Sequence, residues 1–441
     1  MDCILTNARI LAADSPNTLF AGDVHIHQGL IADLVPQEDS EARRKQIPES
    51  TEIIDCQNGW LVPGFVQTHI HLVQTLFRGL ADDLELMDWL QERIWPLESS
   101  HDADSVYWSA RLGITELLLG GTTAILDMAT VHHTEAVFQA ASEAGIRAQI
   151  GQAMMDRPNE SGLCLPTDRL LEESCALADE WHGRDRLGYA FAPRFVPSCT
   201  ENLLTRTLDE ARRRGCRIHT HASENREEVE LVRSLTGMDN VEYLSKIGMT
   251  GPDVVLAHCI HLTDNERRIL RDTETVLAHC PGSNMKLASG IAPIPELLEM
   301  GVHCTIGADG APCNNRLDVF AEMRLAALIQ KPRLGAAKMP AATVMDMATR
   351  NGARALGLDT GILAVGRPAD IVLLDPDAIF AWGDAPPAST IVYGMTPAAV
   401  RRVWIQGQAI VENGSVNGWS TDETIEGCRQ AVQRVRKRAK R

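Results

Sequence analysis

Several residues in the 441-residue sequence have the types and spacing to hold a metal ion and to move protons beside it. His69 and His71 stand two apart in Thr68-His69-Ile70-His71, and His219 and His221 do the same in His219-Thr220-His221. In a β-strand, residues two apart point to the same side, so each pair can aim two imidazoles at one point. His258 and Asp309 follow further along the chain. Imidazole nitrogens with one carboxylate suit zinc, and also iron or manganese. The spacing alone is weak evidence. A third pair, His25/His27, has no further ligand near it in the sequence and reads as structural.

Such residues need elements that bring them together. Eight short apolar runs read as strands: Leu61–Val66, Thr122–Asp127, Arg147–Gln152, Leu187–Pro193, Cys216–His221, Val254–His258, Thr275–His279 and Val302–Asp309. Helix-like segments separate them, among them Asp104–Leu119, Glu201–Arg214 and Asn265–Arg271. Repeated strand–helix units over this length predict an α/β fold, a (β/α)8 TIM-like barrel. In such barrels chemistry sits at the C-terminal ends of the strands. His69/His71 close the first strand, His219/His221 the fifth, His258 the sixth and Asp309 the eighth. The chain ends differ in texture. Cys3–Thr6, Ala8–Leu11 and Asp23–His27 alternate as strands, and so do Asp370–Leu374 and Val403–Gln408. We expect a small composite β-sandwich domain from residues 1–62 and 363–441 and a metal-dependent barrel over 63–362. The polar stretch Glu38–Glu52 reads as a loop.

Composition narrows the function classes. The formal net charge is −17, against the basic balance of a duplex nucleic-acid binder, so no nucleic-acid partner is expected. The basic cluster Arg434, Arg436, Lys437, Arg438, Lys440 and Arg441 reads as a solvated helix end. No apolar run approaches the roughly 18 residues of a spanning helix, so no membrane role is expected. The first residues lack a basic start and an apolar core. The eleven cysteines form no CxxC pair, and free thiols in a reducing cytoplasmic setting are the simplest reading. H-E-x-x-H is absent. The cytidine-type zinc signature fails because Arg316 stands where its last cysteine belongs.

The run Pro63-Gly64-Phe65-Val66-Gln67-Thr68-His69-Ile70-His71 resembles the opening metal motif of the amidohydrolase superfamily. His221-Ala222-Ser223-Glu224, His258-Cys259-Ile260-His261, His279-Cys280-Pro281-Gly282-Ser283-Asn284, Gly307-Ala308-Asp309-Gly310 and Gly366-Arg367-Pro368-Ala369-Asp370 agree with it. The branch it most resembles comprises aminohydrolases of purines and related rings. The resemblance implies one divalent metal per chain on His69, His71, His221 and Asp309, with zinc as the first choice and Fe2+ open. It implies Glu224 as proton shuttle and His258 as the residue that polarises water or substrate. A bridging group for a second metal is missing, since strands three and four end in Gln152 and Pro193-Arg194. The physical logic is consistent. A divalent metal lowers the pKa of its water from about 15.7 toward roughly 7, giving a hydroxide that attacks the amine-bearing ring carbon. Asp309 can take the water's proton and Glu224 can protonate the ring and then the departing amine. His258 can stabilise developing charge.

The substrate side pulls two ways. Phe77-Arg78-Gly79-Leu80-Ala81-Asp82-Asp83-Leu84 through Glu98 resembles deaminases of adenosine-like nucleosides, in which the glutamate matching Glu98 binds ribose hydroxyls. Ala192-Pro193-Arg194-Phe195 and Gln74 resemble guanine deaminase, where an Arg and a Gln give donors for a ring carbonyl. The implied substrate-binding residues are therefore Gln74, Glu98, Arg194 and His258. A small heterocyclic amine is expected, most simply 5′-deoxyadenosine or methylthioadenosine. Guanine-, 8-oxoguanine- or pterin-type rings, s-triazines, cyclic amides and a non-catalytic barrel are the alternatives. His132, His133, His219, His261 and His279 stay without assigned roles. A homo-oligomer, dimer or tetramer, stays open.

Overall fold

Eight strands run side by side in chain order, every neighbouring pair parallel: Phe65–His71, Thr122–Met128, Arg147–Gly151, Leu187–Pro193, Arg217–Ala222, Val254–His258, Val276–His279 and Cys304–Ile306. The computed structural model describes residues 2–45, 48, 51–159, 161–375 and 385–440. After Ile306 the chain bends, and Asp309 and Gly310 pair with Ile70 and His71. That pairing carries the sheet round to its own first strand, as in a TIM-like barrel. Thr68 and Thr305 hydroxyls, 2.6 Å apart, tie the same two strands lower down. Strand eight approaches strand one so closely that a methyl group at Gly307 would stand 2.6 Å from the His69 carbonyl oxygen, which only glycine avoids. The strands read as near-continuous apolar runs because both faces are covered; Thr122–Met128 and Leu187–Pro193 are buried at every position.

Helices on the outer face are capped by local sequence. Asp102 and Ser105 form a capping box on Ala103–Leu119. Thr200 caps Glu201–Arg214, which ends at the left-handed Gly215. These caps satisfy amide groups that a helix start leaves open.

The second sheet draws on both ends of the chain. Ile371–Leu374 pairs antiparallel with Trp60–Pro63, which in turn pairs with Cys3–Leu11. The hairpin turn at Gln28–Gly29 lies against the turn at Gln406–Gly407, with Ala369 N donating to Gly29 O and Gly407 N to Ala369 O. The sheet is thereby curled over its own apolar core of Leu5, Ile10, Val24, Ile31, Leu61, Ile371 and Trp404.

Four sequence expectations are corrected. Leu61–Val66 is not one strand. Trp60–Pro63 belongs to the curled sheet and Phe65–His71 to the barrel, and Gly64, whose N–H donates to Asp370 O, is the crossing point. Val302–Asp309 is likewise split at Gly307. Val403–Gln408 is interrupted by the turn at Gln406 and Gly407, both with positive φ. Within Glu38–Glu52, Gln37–Arg44 is a helix, held by paired Arg44–Asp23 contacts of 2.7 Å onto a fully buried Asp23. Residues 46, 47, 49 and 50 of that stretch, and Arg441, lie outside the described residues.

The described residues of the basic cluster end helix Thr421–Ala439, where Arg436, Lys437, Arg438 and Lys440 are exposed, and the helix packs on Ala103–Leu119. Arg434 pairs with Asp104, and Arg438 pairs with Asp102 at 2.5 Å. The apolar side of this helix, Cys428, Ala431 and Val435, covers Leu76 and Phe77, just downstream of His71. Among the described residues no helix is long and apolar enough to cross a membrane.

Candidate active site

Strand periodicity and barrel closure bring together four of the expected ligands. One ligand atom each from His69, His71, His221 and Asp309 lies within 4.8 Å of every other. Asp309 Oδ1 is 3.3 Å from Nε2 of His69 and of His71, and the Nε2 atoms of His71 and His221 are 3.3 Å apart. Each imidazole is oriented from behind. His71 Nδ1 donates to Met128 O at 2.8 Å and His221 Nδ1 donates to Arg194 O at 2.7 Å. His69 Nδ1 meets His219 Nε2 at 2.7 Å. Such partners fix the tautomer and leave the other nitrogen's lone pair for a metal.

Electrostatics favour the same use. Burial pushes His71 down to about 4 and holds His69 and His221 below their ordinary values, which favours the uncharged form that a metal ligand needs. Burial works to raise Asp309, but the neighbouring His69, His258 and His71 outweigh it and keep the carboxyl ionised. His69 Nε2 is buried without a hydrogen-bond partner. A convergent, neutral imidazole set with one carboxylate and an orphaned lone pair fits a divalent cation.

Glu224 and His258 complete the mouth. His258 Nε2 is 3.4 Å from Glu224 Oε2 and 3.7 Å from Asp309 Oδ2. Its Nδ1 donates to Asn284 Oδ1 at 2.8 Å. Burial, offset by His258 and reinforced by the Asp309 and Glu228 carboxyls, pushes Glu224 up to about 7. Glu228 Oε2 accepts from the Glu224 backbone N–H at 2.7 Å and holds that turn. His258 and Asp309 have φ of 71° and 63°, a conformation non-glycine residues adopt at an energetic cost and one that clusters at functional sites.

A cavity opens onto these groups, lined further by Gln74, Leu86, Trp89, Leu90, Phe195 and Leu287. Its walls suit a flat apolar ring with a few polar edges. The expected substrate residues divide. Gln74, Arg194 and His258 line the cavity, whereas Glu98 lies behind them with its side chain fully buried. Arg194 Nη1 and Nη2 donate to Glu98 at 2.8 and 3.1 Å. Gln74 Nε2 donates to it at 2.8 Å and Thr130 Oγ1 at 3.2 Å. Burial alone would raise Glu98, but Arg194 and Gln74 hold it below its usual value.

Other histidines find separate partners. His261 Nε2 donates to Ser289 O and His132 Nε2 lies near Gly162 O. His27 pairs with Asp2 in the curled sheet. His279 is buried with both ring nitrogens unpartnered. The bracing role of His219 was missed by sequence reasoning beyond its shared strand face with His221. The Asn284 contact and the apolar wall Leu86–Leu90 carried no spacing signal.

A parallel barrel with this ligand set at its strand ends defines a class: the chain belongs to the amidohydrolase family, whose model matches residues 60–410. Within it, the chain is 35% identical over 99% of its length, and 99% of the relative's, to a 5′-deoxyadenosine deaminase of Methanosarcina acetivorans. It is 37% identical to a 5-methylthioadenosine/S-adenosylhomocysteine deaminase of Syntrophobacter fumaroxidans, over 99% of this chain and 98% of that one. A zinc-bound adenosine deaminase structure from Xanthomonas campestris superposes with a TM-score of 0.92 at 29% identity, covering 99% of both chains.

Proposed function

We propose that the protein is a metal-dependent hydrolase of carbon–nitrogen bonds in cyclic amidines that releases ammonia from an adenosine-like nucleoside, with 5′-deoxyadenosine and methylthioadenosine as representative substrates. The observation that carries this reading is the convergence of Glu224, His258 and Asp309 on one edge of the His69/His71/His221 cluster, on the wall of one cavity. The nucleoside deaminases among its relatives support the choice of substrate.

A divalent ion on His69, His71, His221 and Asp309, zinc in first place, would supply Lewis-acid activation of water at neutral pH. The chain's own groups manage the protons. Glu224, whose carboxyl burial raises to about 7 so that a large fraction is protonated at neutral pH, hands a proton to a ring nitrogen, which makes the amine-bearing carbon a better electrophile. Asp309 Oδ2, free of the two histidines that face Oδ1, takes the proton from water. His258, fixed by Asn284, sits between the two carboxyls and steadies charge as the carbon becomes tetrahedral. The carbon–nitrogen bond then breaks, the amine leaves with a returned proton, and water and the amino ring become the oxo ring and ammonia. The carbonyl-reading alternative is disfavoured, because Arg194 directs both terminal nitrogens at Glu98.

Ammonia release by the zinc-loaded protein tests the reading, with 5′-deoxyadenosine, methylthioadenosine, adenosine, guanine, a pterin and an aminotriazine as substrates. Turnover confined to the adenosines supports it. Turnover of guanine or a pterin alone overturns it.

A further inference from the structure

Glu322, on helix Val319–Ile329, is a fully buried residue that stands outside the ligand cluster and the cavity wall. Burying a carboxyl is costly unless donors meet it, and two do. Its Oε2 accepts from the Gly282 backbone N–H and its Oε1 from Asn314 Nδ2, both at 2.9 Å. The fit is close: a methyl group at Gly282 would collide with Oε1 and with the Asn314 amide. Each contact leads on to a residue of the site. Gly282 lies on the short helix Pro281–Lys286, and two residues further Asn284 Oδ1 meets His258 Nδ1 at 2.8 Å. Asn314 Nδ2 also donates to Ala308 O at 2.9 Å, the carbonyl directly before Asp309. Turning that amide over would set its oxygen against two acceptors, so its direction is fixed. His258 and Asp309 both have positive φ, a conformation that persists only where the surroundings over-determine it.

We propose that Glu322 is a positioning residue that braces His258 and Asp309 together, acting through Asn284 on the one and through Asn314 and Ala308 on the other. The proposal rests on the deaminase reading above for the roles of those two residues. One group on a neighbouring helix then sets the spacing between the charge-steadying imidazole and the carboxylate that takes the proton, 3.7 Å apart at Nε2 and Oδ2. Without the brace both strand-end loops drift, and a displacement of about 1 Å at reacting groups costs on the order of 100-fold in rate. The cavity wall that holds the substrate is not part of the brace, so the loss falls on kcat and leaves KM in place.

The test is Glu322→Met, read as zinc affinity at buffered free zinc and as kcat and KM on 5′-deoxyadenosine per bound zinc. Zinc affinity should fall about ten-fold, through Asp309, and kcat about 10- to 100-fold with KM little changed. In an Asn284→Ala, Asn314→Ala background, where both arms are already cut, Glu322→Met should cost nothing further. An unchanged zinc affinity, or an unchanged kcat per bound zinc, reduces Glu322 to packing and overturns the proposal, whatever happens to stability. A loss that multiplies with that of the background shows another route and overturns it too. If Glu322→Met does not fold, Glu322→Gln takes its place. That variant keeps the length and one acceptor but sets an amide donor against one of the two N–H groups. It should lose about ten-fold in kcat, and wild-type values overturn the proposal. A wild type that releases no ammonia from any nucleoside defeats the deaminase reading alone, because zinc affinity needs no substrate and still decides for or against the brace on Asp309.

Discussion

His219 Nε2 stands 2.7 Å from His69 Nδ1, with the two rings nearly perpendicular at 85°. The two residues come from strands five and one, on different parts of the barrel wall. The contact leaves His69 Nε2 as the free lone pair of the cluster. His219→Phe preserves a flat ring and removes the acceptor. We expect metal affinity to fall about 10- to 100-fold, the usual effect of losing such a partner. Metal content at buffered free zinc measures it; an unchanged affinity reduces His219 to packing.

Glu224 is outside the ligand cluster, so its loss should separate chemistry from metal binding. Glu224→Gln should retain a full complement of metal and lose about 100- to 10,000-fold in kcat. His221→Ala should lose metal and turnover together. Ammonia release alongside metal analysis checks both, and a Glu224→Gln enzyme with normal turnover rules out the proton role.

The Arg194–Glu98 pair is almost wholly removed from water, at 4% and 0% side-chain exposure. Arg194→Met would leave a buried carboxylate without its main counter-charge. We expect a loss of about 3–5 kcal/mol in stability, since breaking one side of such a pair strands the other. The double change Arg194→Met with Glu98→Gln should recover much of it. Chemical denaturation of the metal-loaded proteins gives the comparison; equal stability of the single variant and wild type refutes the argument.

Asp127 lies opposite Ile70 in the sheet, with Oδ1 accepting from Leu72 N–H at 2.7 Å and Oδ2 unpartnered. Burial pushes its carboxyl up from 3.8 to about 8. The folded chain then keeps a proton that the unfolded chain releases, so this group lowers stability progressively as pH rises from 3.8 to about 8 and no further above that. Asp127→Asn cannot titrate. The difference in stability between wild type and Asp127→Asn should shift across that window in the variant's favour as pH rises. A difference independent of pH shows that Asp127 is ionised in the fold.

The ligand set was legible because strand periodicity of two places paired histidines on one side, and because barrels carry chemistry where strands end. The strand–helix alternation announced the ring for the same reason. The sequence concealed where the chain changes sheets. Trp60–Pro63 and Phe65–Val66 are buried throughout, and an unbroken apolar run does not show that its two halves pair with different neighbours. The lock of Gln74, Glu98 and Arg194 was invisible as well. These residues are far apart in the chain and obey no period, so the hydrogen bonds that Gln74 and Arg194 give to Glu98 carried no signal. The helix Gln37–Arg44 was hidden by its polarity, because its hold on the sheet is an ion pair onto Asp23 and not an apolar stripe.

The four candidate ligands come from strands one, five and eight, with His69 and Asp309 on either side of the seam that closes the ring. An ion held there acts as a rivet across the seam. It binds the folded chain and not the open one, and at a thousand-fold excess over its Kd such a ligand adds about 4.1 kcal/mol to stability. Proteolysis of a chain like this follows the fraction that opens. The supply of metal would then set how long each molecule survives as well as how fast it turns over, and scarcity would reduce the number of copies before it dimmed the survivors.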